Sequence, residues 1–337
     1  MDAAAAPPDI DASALRRAAA AGNPAAQTRL GKRLLVGEGM QAAPEEGAAL
    51  IAAAAQAGDG EAAAMGAVLI GIGARSAPEW MRALDYLQAS AENGWAPARQ
   101  QLAVLAGDPE LGGQARRPEP PPDLWGRLRR SIDLAWWWKP PPRRDVSLSP
   151  RLTIFDGFLT PSICGWVIGL AQPLLARSRI FNTAGEPEIA NARTNSAFEF
   201  GLLALDMVML LVRGRIAAAA GCMPQALEHT NVLHYAAGQE FARHYDFLDP
   251  QLPGQAQEIA LKGQRVATFL VYLNEDYSGG ETEFPLLKQR FRCPSGGALL
   301  FFDVEPSGAP DRRTLHAGLA PVSGEKWLLS QWIRGRV

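Results

Sequence analysis

Cysteine is scarce in this sequence. Cys164, Cys222 and Cys293 are spread through 337 positions, odd in number and without a C-x-x-C pair. That spacing argues against a disulfide framework or a zinc knuckle and fits a reducing compartment, so a cytoplasmic protein is expected. An excess of one charge is also lacking. Lys and Arg number 33 against 35 Asp and Glu, a formal net charge of -2 that offers nucleic acid no global attraction. No run reaches the ~18 uninterrupted apolar residues of a membrane span. The opening "MDAAAAPPDI" carries an acid where a signal peptide carries basic charge, and no apolar core follows it. Histidine occurs four times, as His229, His234, His244 and His316, so an imidazole-based site has few candidates.

What is plentiful is apolar residue, at 47%, and a chain long enough for two or more domains. The composition changes twice. Residues 1–108 are Ala-rich. Residues 109–149 are rich in Pro, Arg and Trp, as in "RRPEPPPD" and "WWWKPPPRRD". Residues 150–337 carry apolar runs separated by Gly and Pro. In the first segment "AAAAGNPAAQTRLG", "AAQAGDGEAAAMG" and "SAENGWAPARQQL" place Gly22, Gly58 and Gly94 at a constant interval of 36 (58 minus 22, 94 minus 58). A period in the mid-thirties marks stacked helix–turn–helix units, in which Ala permits close helix contact and Gly ends one helix so that the next turns back. This stretch resembles the SEL-like subfamily of tetratricopeptide repeats, with a generic Ala-rich bundle as the alternative. The resemblance implies a solenoid that binds protein or peptide.

The Trp-rich stretch "DLWGRLRRSIDLAWWWK" spaces Leu124, Leu128, Ile132 and Ala135 helically beside Arg127, Arg129, Arg130 and Lys139. It reads as a helix docked by its tryptophans on a neighbouring domain, with an interfacial membrane helix at 124–139 as the competing reading. Beyond it, helices are predicted at 161–177 and 203–219. Strands are predicted at 231–236, 265–273, 298–303 and 326–334, from runs such as "VATFLVYL", "ALLFFDV" and "KWLLSQWI". Strands joined by Gly/Pro turns after a helical layer suggest a double-sheet jelly roll or open barrel. The predicted fold is multidomain: all-α TPR/SEL-like repeats over 1–108, a linker over 109–149, and over 150–337 either an α+β double-stranded β-helix (jelly-roll) domain or an open barrel.

In "FARHYDFLDP", His244 and Asp246 stand two residues apart. On a strand or its edge such residues aim at one face. An imidazole and a carboxylate make a poor metal site alone; a 2-His-1-carboxylate triad for non-haem Fe(II) needs a second histidine from a distant strand. His229 and His234 lie too close in sequence to supply it. His316 lies 70 residues beyond Asp246 (316 minus 246). Ten residues later comes Lys326, at the start of an apolar strand. Inside a barrel a lysine is costly without an anionic partner, which a dicarboxylate would supply; on an outer edge it would sit in water.

H-x-D, a distal His and a basic residue ten positions on resemble the signature of Fe(II)/2-oxoglutarate dioxygenases, and of their prolyl 4-hydroxylase branch in particular. "NVLHYAAGQEFARHYDF", "RVATFLVYLNEDYSGGETEFP", "LHAGLAPVSGEKWLLSQWIR" and "ARTNSAFEF" are similar to segments of that branch in the same order. The resemblance implies His244, Asp246 and His316 as metal ligands. It implies Lys326 against the far carboxylate of 2-oxoglutarate, with Tyr235 and Thr282 donating hydroxyl bonds to the same cosubstrate. Arg193 and Arg265 match arginines near the substrate, with surface salt bridges as the other reading, and Trp332 matches an aromatic beside the active site. The implied cofactors are Fe(II), 2-oxoglutarate and O2, with ascorbate as a candidate addition. The implied activity is hydroxylation, of a prolyl residue in a peptide or protein, with release of succinate and CO2. Asn195 and Arg334 depart from the branch pattern and leave the substrate open. The competing function is an inactive dioxygenase-like scaffold that binds partners through its repeats.

Overall fold

A computed structural model of the chain describes residues 12–74, 77–178, 180–181, 187–188 and 192–335. The opening residues on which the signal-peptide reading rests lie outside these. The chain divides into two compact units, Met1–Asp133 with Leu202–Leu210, and Leu134–Gly201 with Leu211–Val337.

The helical unit starts with α1 (Ala12–Ala20), α2 (Pro24–Val36), α3 (Pro44–Gln56), α4 (Gly60–Gly71), α5 (Trp80–Glu92) and α6 (Ala96–Ala106). The 36-residue period is a period of turns. Gly22, Gly58 and Gly94 link the members of each pair with φ of 82°, 89° and 88°. Each turn closes the same way: the Gly N–H donates to the carbonyl three residues back (Ala19, Ala55, Ala91), and the next N–H donates to the one five back (Ala18, Ala54, Ser90). That is the Schellman closure of a helix C-terminus, which favours Gly in the left-handed region. The next residue then caps the following helix. Asn23 and Asp59 accept from the N–H groups of Ala26 and Ala62, satisfying donors a helix start leaves open. Trp95, third in the series, makes no side-chain cap. Between α2 and α3 the small residues allow backbone contact: a Cβ on Gly47 would stand 2.7 Å from the Gly31 carbonyl oxygen.

The Pro- and Trp-rich stretch folds into three short helices, Pro109–Ala115, Leu124–Ser131 and Leu134–Trp138. Leu124, Trp125 and Leu128 are buried, and the helix that carries them packs on α5 and α6. Trp137 is buried, and the Arg215 guanidinium lies 3.7 Å from the Trp136 ring centroid. Packing thus occupies much of the apolar face that suggested an interfacial helix. No described helix is long and apolar enough to cross a membrane.

The second unit is built on two large antiparallel sheets, with two further two-stranded ones among the described residues. The larger orders its strands Arg143–Leu148, Arg151–Phe155, Ala298–Phe302, Arg265–Tyr272, Lys326–Arg334, Thr230–Tyr235, Ser196–Phe200 and Ala176–Arg177. The smaller orders them Gln289–Phe291, Thr282–Phe284, His316–Gly318 and Phe241–His244. The predicted strands at 231–236, 265–273, 298–303 and 326–334 therefore fall within a residue of the observed ones. Between the sheets lies an apolar core in which Leu233, Tyr235, Leu270, Tyr272, Leu299, Phe301 and Leu328 meet Phe284. Alternate residues on each strand face inward, as the pleat requires. The helix predicted at 161–177 ends sooner, as Pro161–Ala171 followed by a 3-10 turn at Gln172–Leu174. Pro173 lacks the N–H needed to continue it. The helix predicted at 203–219 is Met207–Ala220, opened by Asp206, whose carboxylate accepts the Met209 N–H.

Candidate active site

The same two-residue alternation that builds the core also builds the cavity. Lys326, Leu328, Ser330 and Trp332 form one inward column, and Asn231, Leu233 and Tyr235 form the column beside it. These strands run antiparallel with Lys326 opposite Tyr235. The smaller sheet closes the cavity with Phe241, His244, Thr282, His316 and Gly318, and Arg193 lies at its wall. The space is about 460 Å³, open mouth included.

His244, Asp246 and His316 meet here, with one ligand atom from each within 4.8 Å of the others. His316 is the direct cross-strand partner of His244, and Asp246 lies just past the end of the His244 strand. Each histidine turns its Nδ1 to the carbonyl two residues earlier, Ala242 at 2.8 Å and Thr314 at 3.0 Å. A carbonyl accepts, so each Nδ1 carries a proton, which directs Nε2 of each ring toward the site as the nitrogen available to a metal. His244 Nε2 lies 3.6 Å from Asp246 Oδ1, and His316 Nε2 lies 3.5 Å from Asp246 Oδ2. Ligands at right angles on bonds of about 2.1 Å would stand roughly 3 Å apart, so small movements would close them round one ion. Burial pushes His244 down to about 3, which keeps it neutral. Burial also pushes Asp246 up, but His316, His244 and the Thr268 hydroxyl together hold it below the usual carboxylate range. Two imidazoles and a carboxylate fit Fe(II) by donor type and number. Phe241 stacks on His244 at 3.6 Å between centroids, and Phe284 and Phe301 flank His316 at 5.6 and 4.8 Å. These rings keep water from much of the site.

Lys326 is 0% exposed, and its Nζ donates to the Gly280 carbonyl at 2.7 Å. Burial pushes its ammonium down to about 7. A buried cation with one neutral acceptor has room for an anion, whose charge would draw the pKa back up. The Tyr235 ring lies 5.2 Å from Lys326 Nζ. Thr282 Oγ1 lies 2.8 Å from the Tyr272 hydroxyl, which also donates to the Phe291 carbonyl. Either hydroxyl can donate in the Tyr272–Thr282 pair, and Thr282 lines the cavity. Tyr272 was not anticipated from sequence.

The two candidate arginines differ. Arg193 lines the cavity, with its guanidinium 4.5 Å from the Phe241 ring centroid and its Nε donating to Asn195 Oδ1 at 3.1 Å. Asn195, a departure from the branch pattern, is thus fully buried as a partner of Arg193. Arg265 is absent from the lining. It pairs with Glu228 through two bonds of 2.7 and 3.0 Å and covers the Trp332 ring at 3.7 Å. Arg334 lies in the same group, its Nε 2.6 Å from Glu228 Oε1. His229 and His234 pair with Glu199 and Glu325, apart from the triad. Sequence reasoning also passed over Thr268 and Asp303, whose strands point them inward by parity with Leu270 and Phe301.

Comparison with known proteins agrees with this arrangement. The family described as the 2OG-Fe(II) oxygenase superfamily matches residues 230–334. Probable prolyl 4-hydroxylase 7 of Arabidopsis thaliana is 31% identical over 207 residues, 56% of this chain; the match spans 64% of the relative's own length, less than two thirds. Prolyl 4-hydroxylase 2 of the same plant is 31% identical over 212 residues, 56% of this chain and 69% of the relative. Among solved structures, the viral collagen prolyl hydroxylase of Paramecium Bursaria Chlorella virus-1, in its 2OG complex, is 29% identical, covering 55% of this chain and 96% of that one with a TM-score of 0.43. On its 31% identity to prolyl 4-hydroxylase 2, of which it covers 69%, the chain belongs to the 2OG-Fe(II) oxygenase superfamily, among the prolyl 4-hydroxylases.

Proposed function

We propose that the chain hydroxylates a prolyl residue of a peptide or protein, consuming 2-oxoglutarate and O2 with Fe(II) and releasing succinate and CO2. The observation that carries the reading is the convergence of three donor atoms in a cavity that also holds a fully buried lysine. His244, Asp246 and His316 would hold the iron, which when bound supplies oxygen activation coupled to decarboxylation of the keto acid. Lys326 pairs with the far carboxylate of 2-oxoglutarate, a charge-assisted bond of about 1.5–3 kcal/mol. The Tyr235 hydroxyl donates to the same group, and Thr282 helps to shape that end of the cavity. Phe241, Phe284 and Phe301 restrict water at the imidazoles. Arg193 and Trp332 orient the substrate, and Arg265 acts on it through Trp332. Ascorbate is retained as a candidate further cofactor, and a cytoplasmic setting is supported by three unpaired thiols.

The helical repeats are proposed to recruit the peptide or protein, in keeping with the use of such solenoids as binding surfaces. An inactive scaffold is the weaker reading, because all three donors and the buried cation are present. The test is anaerobic addition of Fe(II) and 2-oxoglutarate, then O2 and proline-containing peptides. Succinate formed in step with a peptide mass gain of one oxygen supports the proposal. Tight iron binding with neither product would remove it in favour of the scaffold.

A further inference from the structure

Behind the candidate metal site lies a second carboxyl group that the proposed reaction does not use. Asp303 is 0% exposed. It follows the strand Ala298–Phe302, whose neighbour Arg265–Tyr272 sets Thr268 opposite Phe301. Leu299, Phe301 and Asp303 share one face by parity, as do Leu270 and Thr268 on the adjoining strand. The Thr268 hydroxyl therefore stands between two buried carboxyl groups, 2.7 Å from Asp246 Oδ2 and 3.0 Å from Asp303 Oδ2.

Hydrogen counting decides how this chain of oxygens is arranged. A threonine hydroxyl has one proton and accepts through its lone pairs. It cannot donate to two carboxylates at once. If both acids were ionised, one short contact would be a repulsion between lone pairs at a place buried from solvent. A proton on one carboxyl group removes the conflict. Asp246 must be the ionised partner if it is to bind a metal, so the proton belongs to Asp303. A second observation agrees. Asp303 Oδ1 is buried with no hydrogen-bond partner, which a neutral acid tolerates far better than a carboxylate does. Burial, with the charge of Asp246 beside it, pushes the Asp303 carboxyl well above the usual carboxylate range.

We propose that Asp303 is a positioning residue for the metal site, a neutral carboxylic acid that donates to Thr268 Oγ1 so that the Thr268 proton is committed to Asp246. The relay fixes one oxygen of the Asp246 carboxylate and restricts its rotation before any ion arrives. Partners of this kind set the orientation of metal ligands, and their loss weakens metal affinity by about 10- to 100-fold. The inference rests on the reading of His244, Asp246 and His316 as ligands, and the experiment separates the two.

The probe is Co(II), titrated anaerobically into the full chain and followed by its visible ligand-field absorption, with no cosubstrate and no turnover. Wild type, Asp303→Asn, Asp303→Leu and Thr268→Val are compared, with Asp246→Ala as the ligand control. An asparagine amide donates to Thr268 as a neutral acid does, so Asp303→Asn is expected to hold Co(II) within about 2-fold of wild type. Asp303→Leu and Thr268→Val are expected to weaken it by about 10-fold or more. A large loss in Asp303→Asn would mean that the native group is a charged carboxylate, and would overturn the proposal. Unchanged affinity in Thr268→Val would overturn it as well, and that near-isosteric variant decides the matter should Asp303→Leu fail to fold. Failure of the wild type itself to bind, or binding untouched in Asp246→Ala, would remove the ligand reading instead.

Discussion

His316 and His244 are direct partners across two antiparallel strands, with ring centroids 4.2 Å apart. Residues 72 apart in the chain (316 minus 244) are thereby fixed by backbone hydrogen bonds. His244→Ala or His316→Ala leaves two donors, one of them the carboxylate. Each variant is expected to lose tight Fe(II) binding and all turnover while keeping the fold. Anaerobic metal titration with far-UV circular dichroism checks this, and native affinity in either variant would take that histidine out of the site.

Lys326→Met keeps most of the side-chain volume and removes the charge. Loss of a charge-assisted bond of about 1.5–3 kcal/mol corresponds to a rise of roughly 10- to 100-fold in the 2-oxoglutarate requirement. Iron affinity should be unaffected, because the ammonium bonds to Gly280 rather than to any of the three donors. Calorimetry with 2-oxoglutarate and a redox-inert metal separates the two effects.

The same lysine predicts a pH dependence. Free Lys326 titrates at about 7, and a bound carboxylate raises that value. Below about pH 7 the cation is already present and affinity for 2-oxoglutarate is flat. Above it, binding must take up a proton, and affinity falls by up to about tenfold per pH unit until the raised pKa of the complex is reached. His244, at about 3, and Tyr235, at about 12, do not titrate in that window. Calorimetry in buffers of differing ionisation enthalpy should register proton uptake at pH 8, and its absence would mean that Lys326 is charged throughout.

The strands were legible because apolar runs or alternation over five or more residues report burial, whereas the sequence left Lys326 open between the interior and an outer edge until its burial was seen. His244, Asp246 and His316 were legible because metal chemistry limits the residue types and histidine is rare here. The helix at Leu124–Ser131 was legible from the spacing of Leu124 and Leu128, but Pro109–Ala115 was not, because a Pro-rich composition reads as linker. The pairing of Arg265 with Glu228 joins a strand to the loop before Thr230–Tyr235, 37 residues apart (265 minus 228), which became neighbours only once the sheet was in register. Asp303 was within reach, since it continues the inward parity of Leu299 and Phe301, but an acid after "ALLFF" also reads as a strand end.

Gly58 sits at φ 89°, and a Cβ there would meet nothing within 4 Å. Gly58→Ala therefore tests backbone conformation alone. The left-handed region costs a non-glycine residue about 1–2 kcal/mol, so the helical unit should unfold at lower denaturant concentration. The iron affinity of the intact chain should stay the same in native buffer. An unchanged denaturation midpoint would show that the repeat turn does not limit stability.

Arg265 and Glu228 supply a test of substrate handling apart from metal and cosubstrate. Arg265 covers one face of Trp332, whose column faces the cavity, and its guanidinium is held by Glu228. Removing it does not strand the acid, because Arg334 Nε stays 2.6 Å from Glu228 Oε1. Arg265→Ala should therefore fold, while the Trp332 ring gains freedom to tilt. Peptide KM is expected to rise several-fold, and substrate-free conversion of 2-oxoglutarate to succinate is expected to stay near its native rate. Parallel assays of peptide oxidation and of succinate release distinguish the effects. An equal fall in both would mean that Arg265 supports the whole barrel, and no change in either would remove Arg265 and its Trp332 contact from the substrate side of the reaction.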